Sequence, residues 1–120
     1  MADRVLFIGW GAPVTGREER GVEVFNDVLG LYGRMQQDGR IESFDVALLD
    51  PNGDLGGYIQ LHGSGAQLAA VRADDEFRRM LVDASLIIED LRVFDGFTNE
   101  AIAREMALYQ EAVAKVPQTA

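Results

Sequence analysis

The apolar positions change period several times along the chain, and each change predicts an element. Arg4–Trp10 (RVLFIGW) is β-branched and aromatic without a helix breaker, which predicts a first strand. Val22, Phe25, Val28, Leu29, Tyr32 and Met35 then recur at steps of three and four, the spacing of one helix face, running to about Gln37. Thr15 stands three residues before Glu18, so the helix is expected to open on a capping box, with each side chain accepting the other's backbone N–H. Gly30 and Gly33 weaken the helix locally, as a close approach to a sheet would require, and Asp38-Gly39 ends it. Ser43–Leu49 (SFDVALL) and Tyr58–His62 (YIQLH) read as strands on either side of DPNGDLGG, a hairpin turning at Asn52-Gly53. Ser64 with Gln67 predicts a second capping box and helix. Asp74 recaps the chain for a turn through Phe77, Met80, Leu81 and Ala84. Leu91–Phe97 predicts a fourth strand. Thr98 or Asn99 is expected to cap a last helix with Ile102, Met106, Tyr109, Val113 and Val116 on one stripe, closed by Pro117.

The order is β-α-β-β-α-β-α, and its first six elements form the ferredoxin-like pattern. The expected class is α+β: a four-stranded antiparallel sheet with an extra C-terminal helix. One domain spans 1–117, and 118–120 forms a short polar tail. Right-handed crossovers place both early helices on one side of the sheet. Strand alternation then sorts the hairpin. Phe44, Val46, Ile59 and Leu61 face the helices, as do Leu91 and Val93. Ser43, Asp45, Tyr58, Gln60, His62, Arg92 and Phe94 share the open face. The first strand fits either phase, with Leu6, Ile8 and Trp10 or with Val5, Phe7 and Gly9 on that face. A bare face carrying both Tyr58 and Phe94 suits a second protomer packed against it, which predicts a homodimer through sheet faces. The C-terminal stripe also needs a cover, either its own sheet edge or a partner.

Composition narrows the function classes. With 120 residues the chain supports one core, and 48% hydrophobic residues exclude disorder. The absence of cysteine excludes disulfides and thiolate chemistry and suits a reducing, cytoplasmic setting. A net charge of −9 repels a phosphate backbone, so nucleic acid is not an expected partner. No segment offers the roughly 20 apolar residues of a membrane span, and no membrane partner is expected. The opening run is too short for a signal peptide.

Three groups of residues are candidates for chemistry. GAPVTGRE has nearly the glycine spacing of a phosphate loop, but Arg17 and Glu18 replace its Lys and Ser/Thr, and a carboxylate there repels phosphate. It reads as a helix entry. His62, the sole histidine, has Asp45 and Ser43 as neighbours. It is either a general base oriented by Asp45 or a hydrogen-bonded residue of a subunit interface. Asp45 and Gln60 are cross-strand partners, either binding a polar substrate or joining subunits. Arg92 is placed to neutralise an anionic ligand or to pair with Asp45. Trp10 and Tyr58 suit an aromatic pocket or plain packing. One histidine and no cysteine leave a metal site to carboxylates alone, and no cofactor is expected.

The element order, GWG after the first strand, DLGGYIQLHGS leading into a capped helix, and VRADDEFRRMLVDASLIIEDLRVFDGFT resemble the dimeric α+β-barrel superfamily, in an uncharacterised bacterial branch. The resemblance covers nearly the whole chain and is one of pattern, without a catalytic motif. It implies two ferredoxin-like sheets facing each other in a dimer, with a cavity between sheet and helices or within the barrel. Relatives include cofactor-independent monooxygenases, lactone isomerases, haem-degrading enzymes and proteins without assigned activity, among which fold does not choose. The leading expectation is a cytoplasmic homodimer that binds a small organic ligand. The alternatives are a monooxygenase- or isomerase-like enzyme for an aromatic or polyketide-like molecule, with His62 as base, or an interaction module with no active site.

Overall fold

The computed structural model describes residues 2–119; Met1 and Ala120, the ends of the expected domain and tail, lie outside them. The elements are β1 (Arg4–Trp10), α1 (Glu18–Gln37), β2 (Ser43–Leu48), β3 (Gly57–Gly63), α2 (Gly65–Ala73), α3 (Asp75–Ser85), β4 (Arg92–Phe97) and α4 (Glu100–Val113). The sheet is antiparallel throughout, in the order β2-β3-β1-β4. This is the ferredoxin-like fold. The stretch after Asp74 forms a helix of 11 residues over the expected span through Phe77, Met80, Leu81 and Ala84, and Asp74 caps it by accepting the N–H of Glu76 at 3.1 Å.

The hairpin has the expected register, with Ser43 opposite His62, Asp45 opposite Gln60 and Ala47 opposite Tyr58. Asn52 holds the turn: its carbonyl accepts from the N–H groups of Asp54 and Leu55, and its amide donates to the carbonyls of Asp50 and Leu55. Burial decides the phase of β1. Leu6 and Ile8 are buried in the core with Ile59 and Leu61, so Val5, Phe7 and Gly9 face the other way. Leu31, Tyr32 and Met35 of α1, Leu68 and Val71 of α2 and Phe77 of α3 complete the core.

Local expectations met mixed outcomes. Ser64 and Gln67 form their capping box, with bonds of 2.8 and 3.1 Å. Thr15 and Glu18 do not. The helix starts at Glu18 itself, and the Glu18 carboxylate accepts the N–H of Gly16 at 3.0 Å. Gly16 has a φ of 90°, a turn geometry that carries the chain past the position Thr15 would need. Gly30 and Gly33 mark no close approach, since a Cβ on Gly33 would meet nothing within 4 Å and one on Gly30 only the tip of Arg34. Val46 is 38% exposed although it points to the helix side, while its neighbour Phe44 on the same strand packs edge-on against Tyr32 of α1. Asn99 begins α4 without a side-chain cap, and its amide instead donates to the carbonyl of Ala2 at 2.6 Å.

α4 leaves the body of the molecule. Ile102, Met106 and Tyr109 are 51%, 48% and 64% exposed, so its stripe covers neither its own sheet edge nor anything else in this chain. The radius of gyration is 17.0 Å, against about 14 Å for a compact chain of this length. Gln118, in the expected tail, bonds back to the carbonyls of Val113 and Val116. Among the described residues no helix is long and apolar enough to cross a membrane.

Candidate functional site

Two surfaces emerge, one on each side of the sheet. The registers align three rows across the open face. Ser43, His62, Val5 and Gly96 form the first row, Asp45, Gln60, Phe7 and Phe94 the second, and Ala47, Tyr58, Gly9 and Arg92 the third. His62 and Asp45 are diagonal neighbours, with Nε2 to Oδ2 at 2.6 Å. His62 is sheltered by its neighbours, whereas Asp45 is largely exposed. Phe7 stacks on Tyr58 at 5.4 Å and on Phe94 at 6.2 Å between ring centroids, an aromatic band reaching from β3 to β4. An apolar band flanked by a hydrogen-bonded polar pair on an uncovered sheet is unusual for a solvated surface.

Arg92 does not pair with Asp45. β2 and β4 are the opposite edges of the sheet, and Arg92 donates instead to the Asp54 carboxylate of the β2–β3 loop. That bond raises the pKa of the guanidinium further, so Arg92 is a fixed cation partly neutralised in place.

Trp10 parts company with the other sequence-selected residues. It has the phase of Leu6 and Ile8 and lies on the helix side, where its ring meets Phe25 edge-on at 5.8 Å. There it borders a cavity of about 280 Å³ between the sheet and helices α1 and α3. Ile8, Phe25, Val28, Tyr32 and Leu81 contribute to its walls. None of the open-face residues selected from the sequence does. The cavity and the His62–Asp45 pair are therefore separate features, one sheet thickness apart. The residue opposite Trp10 is Gly57, where a Cβ would lie 2.7 Å from the Trp10 ring and 2.7 Å from the carbonyl oxygen of Ala47. The absence of a side chain at Gly57 lets the indole lie flat along the cavity wall. The β1–α1 loop is held to the chain before β4 by bonds from Gly11 N–H to Glu89, from Val14 N–H to Ile87 and from Glu89 N–H to Ala12.

Two polar side chains border this apolar space. Glu18, at the exposed start of α1, is the sole charged residue in its lining, and the Gly16 N–H holds its carboxyl below the usual range. Tyr32 is 2% exposed, between Phe44 and Phe77, and burial pushes its phenol well above the ordinary tyrosine value. Its hydroxyl makes no hydrogen bond among the described residues, and it is not one of the sealed, unpartnered polar atoms, which are Arg4 Nε and Thr98 Oγ1. Sequence reasoning missed Phe25, Tyr32 and Glu18 because it read them as helix stripe and cap.

A haem with an axial histidine does not fit the cavity, since the sole histidine is on the other face. Among the described residues no group of three His, Asp or Glu side chains is placed to hold a metal ion.

Two solved structures share the fold. A dimeric protein of unknown function and ferredoxin-like fold from Bacteroides fragilis NCTC 9343 superposes with a TM-score of 0.59 at 12% identity, covering 78% of this chain and 95% of its own. A Chloroflexus aurantiacus J-10-fl protein with the provisional name antibiotic biosynthesis monooxygenase gives 0.52 at 15% identity, covering 80% and 93%. Both are neighbours that the dimeric α+β-barrel resemblance leads one to expect, and at these identities they bear on fold alone. No protein-family model matches the chain, and no curated protein matches it.

Proposed function

We propose that the protein is a homodimer, paired through its open sheet faces, that binds a small apolar organic molecule between sheet and helices. The observation that carries this reading is the cavity of about 280 Å³, which approaches the lower end of ordinary ligand pockets and is walled by Trp10, Phe25 and Tyr32. The space is an apolar cleft that opens to solvent beside Glu18, Val22 and Leu48. The aromatic band Tyr58–Phe7–Phe94 and the exposed α4 stripe favour a second copy as cover. The dimeric Bacteroides neighbour agrees with that. The test is a titration with naphthalene, read by the fluorescence of Trp10 and the ring resonances of Phe25. Saturable one-site binding is expected; no response up to the solubility limit would remove the ligand-binding reading. Sedimentation at micromolar concentration tests the pairing, and a monomer would overturn it.

A second reading is cofactor-independent chemistry on an aromatic or polyketide-like molecule at the open face. The 2.6 Å contact between His62 and Asp45 favours it, with His62 in the role of base, Asp45 as orienter and Ser43, Gln60 and Arg92 as polar contacts. The site would then be closed only by the second copy. Loss of turnover in His62→Ala, with the dimer intact, is the result that reading requires. The third reading, an interaction module with no active site, requires that no probe enter the cavity.

A further inference from the structure

We infer that the Tyr32 hydroxyl is the specificity group of the cavity, and that the molecule bound there is uncharged, apolar in body and carries one hydrogen-bond acceptor, such as an aryl ketone. This rests on the cavity reading above and goes further by naming the ligand's chemistry. Three observations support it. First, Tyr32 borders the cavity, its hydroxyl makes no hydrogen bond among the described residues, and that oxygen is not sealed off in the way Arg4 Nε and Thr98 Oγ1 are, so it still meets open space. A donor that has no partner in the chain and still meets open space is free to bond a ligand carbonyl. Second, the walls are otherwise apolar, so they cannot solvate an ion, and a charged group brought there loses its hydration without compensation. Third, the sole charge in the lining is the Glu18 carboxylate, whose sign opposes a second anion. Burial also keeps the Tyr32 phenol in its protonated, donating form. Trp10 and Phe25, crossed at 67°, offer a ring face and a ring edge, which suits an aromatic body.

The test uses three probes of similar length: propiophenone, its hydrocarbon counterpart propylbenzene, and 3-phenylpropanoate. Each is titrated into the native protein and into Tyr32→Phe, read by calorimetry and by Trp10 fluorescence. The native protein should bind propiophenone about fivefold more tightly than propylbenzene, the worth of one neutral hydrogen bond, and should not bind 3-phenylpropanoate measurably. Tyr32→Phe should abolish the ketone preference and leave propylbenzene binding unchanged. That last result also shows that the variant is folded with its cavity intact. An equal ketone preference in both proteins, or 3-phenylpropanoate binding as tightly as the ketone, would overturn the assignment while leaving the cavity as a ligand site. Binding of neither neutral probe would overturn both.

Discussion

His62 Nε2 lies 2.6 Å from Asp45 Oδ2, across one diagonal step of the β2–β3 ladder and on the side of the sheet that no helix covers. Asp45 is 67% exposed in the single chain, so the pair adds little to the stability of one subunit. Asp45→Ala should shift chemical unfolding of the monomer by less than about 1 kcal/mol. In the proposed dimer the same pair is sealed from water, and its loss is expected to weaken self-association about tenfold or more. Sedimentation and urea unfolding on the same variant separate the two effects; equal changes in both would contradict the placement.

Gly57 and Trp10 give the most direct structural test of the cavity wall. In Gly57→Ala the new methyl meets the Ala47 carbonyl oxygen, which is backbone and cannot step aside, and the indole ring. The expected cost is about 1–3 kcal/mol, with a shifted Trp10 emission maximum. An unchanged spectrum would mean that the ring is not held where the structure has it.

Tyr32 predicts an alkaline sign. Its folded pKa is raised, so the unfolded chain releases this proton first once pH exceeds about 10. The stability linked to keeping the phenol neutral is whole below that value and is lost as pH rises beyond it. Tyr32→Phe should therefore remove part of the alkaline loss of stability, and near neutral pH should change the stability of the ligand-free protein by less than about 1 kcal/mol, because the hydroxyl makes no hydrogen bond among the described residues and is not sealed off. Urea unfolding at pH 7 and pH 10.5 decides it, and a less stable variant at neutral pH would show that the hydroxyl has a partner.

Glu18 predicts the opposite sign. Its folded pKa is depressed by the Gly16 N–H, so the stability from this contact is present above pH 4.5 and is lost as pH falls through the lowered value. Glu18→Ala should be less stable than the native protein at pH 6, and the difference should close toward pH 3. A constant difference across that range would assign the effect to helix propensity rather than charge.

The α4 stripe gives a fifth prediction. Met106→Asp with Tyr109→Asp leaves the unfolding of a single chain unchanged, since neither side chain is buried in it. The same double variant should disperse the dimer in sedimentation. A dimer of native affinity would assign the stripe to some other cover.

Much of the fold was legible because its signals are local. β1 was read with its observed ends, and the hairpin register followed from one turn, since strand parity leaves a single arrangement once Asn52-Gly53 is placed. Ser64 and Gln67 capped a helix as expected because Gly63 before them and Leu68 after them fit the same geometry. What escaped was set by the third dimension. Thr15 failed as a cap because Gly16 turns the chain first. Val46 is exposed while Phe44, two residues earlier on the same face, packs on Tyr32, a difference that strand alternation alone does not display. The open-face residues of β2, β3 and β4 were grouped as the registers have them, but the phase of β1 was left open, and only burial could choose between Leu6, Ile8 and Trp10 and Val5, Phe7 and Gly9. The cavity lay hidden for the same reason: Phe25 and Tyr32 obey the helix stripe perfectly well while leaving space between them and the sheet.

The alternation of β1 makes it a partition between two compartments. Its even-numbered side chains, Leu6, Ile8 and Trp10, are furniture of one room; its odd-numbered ones, Val5 and Phe7, furnish the other. Substitutions can refit either room separately, provided they keep to their parity. An insertion or deletion within these seven residues cannot, because it exchanges the two sets at a stroke. A lineage of this protein could thus diversify what it holds and whom it joins independently, yet it should never change the length of that one strand.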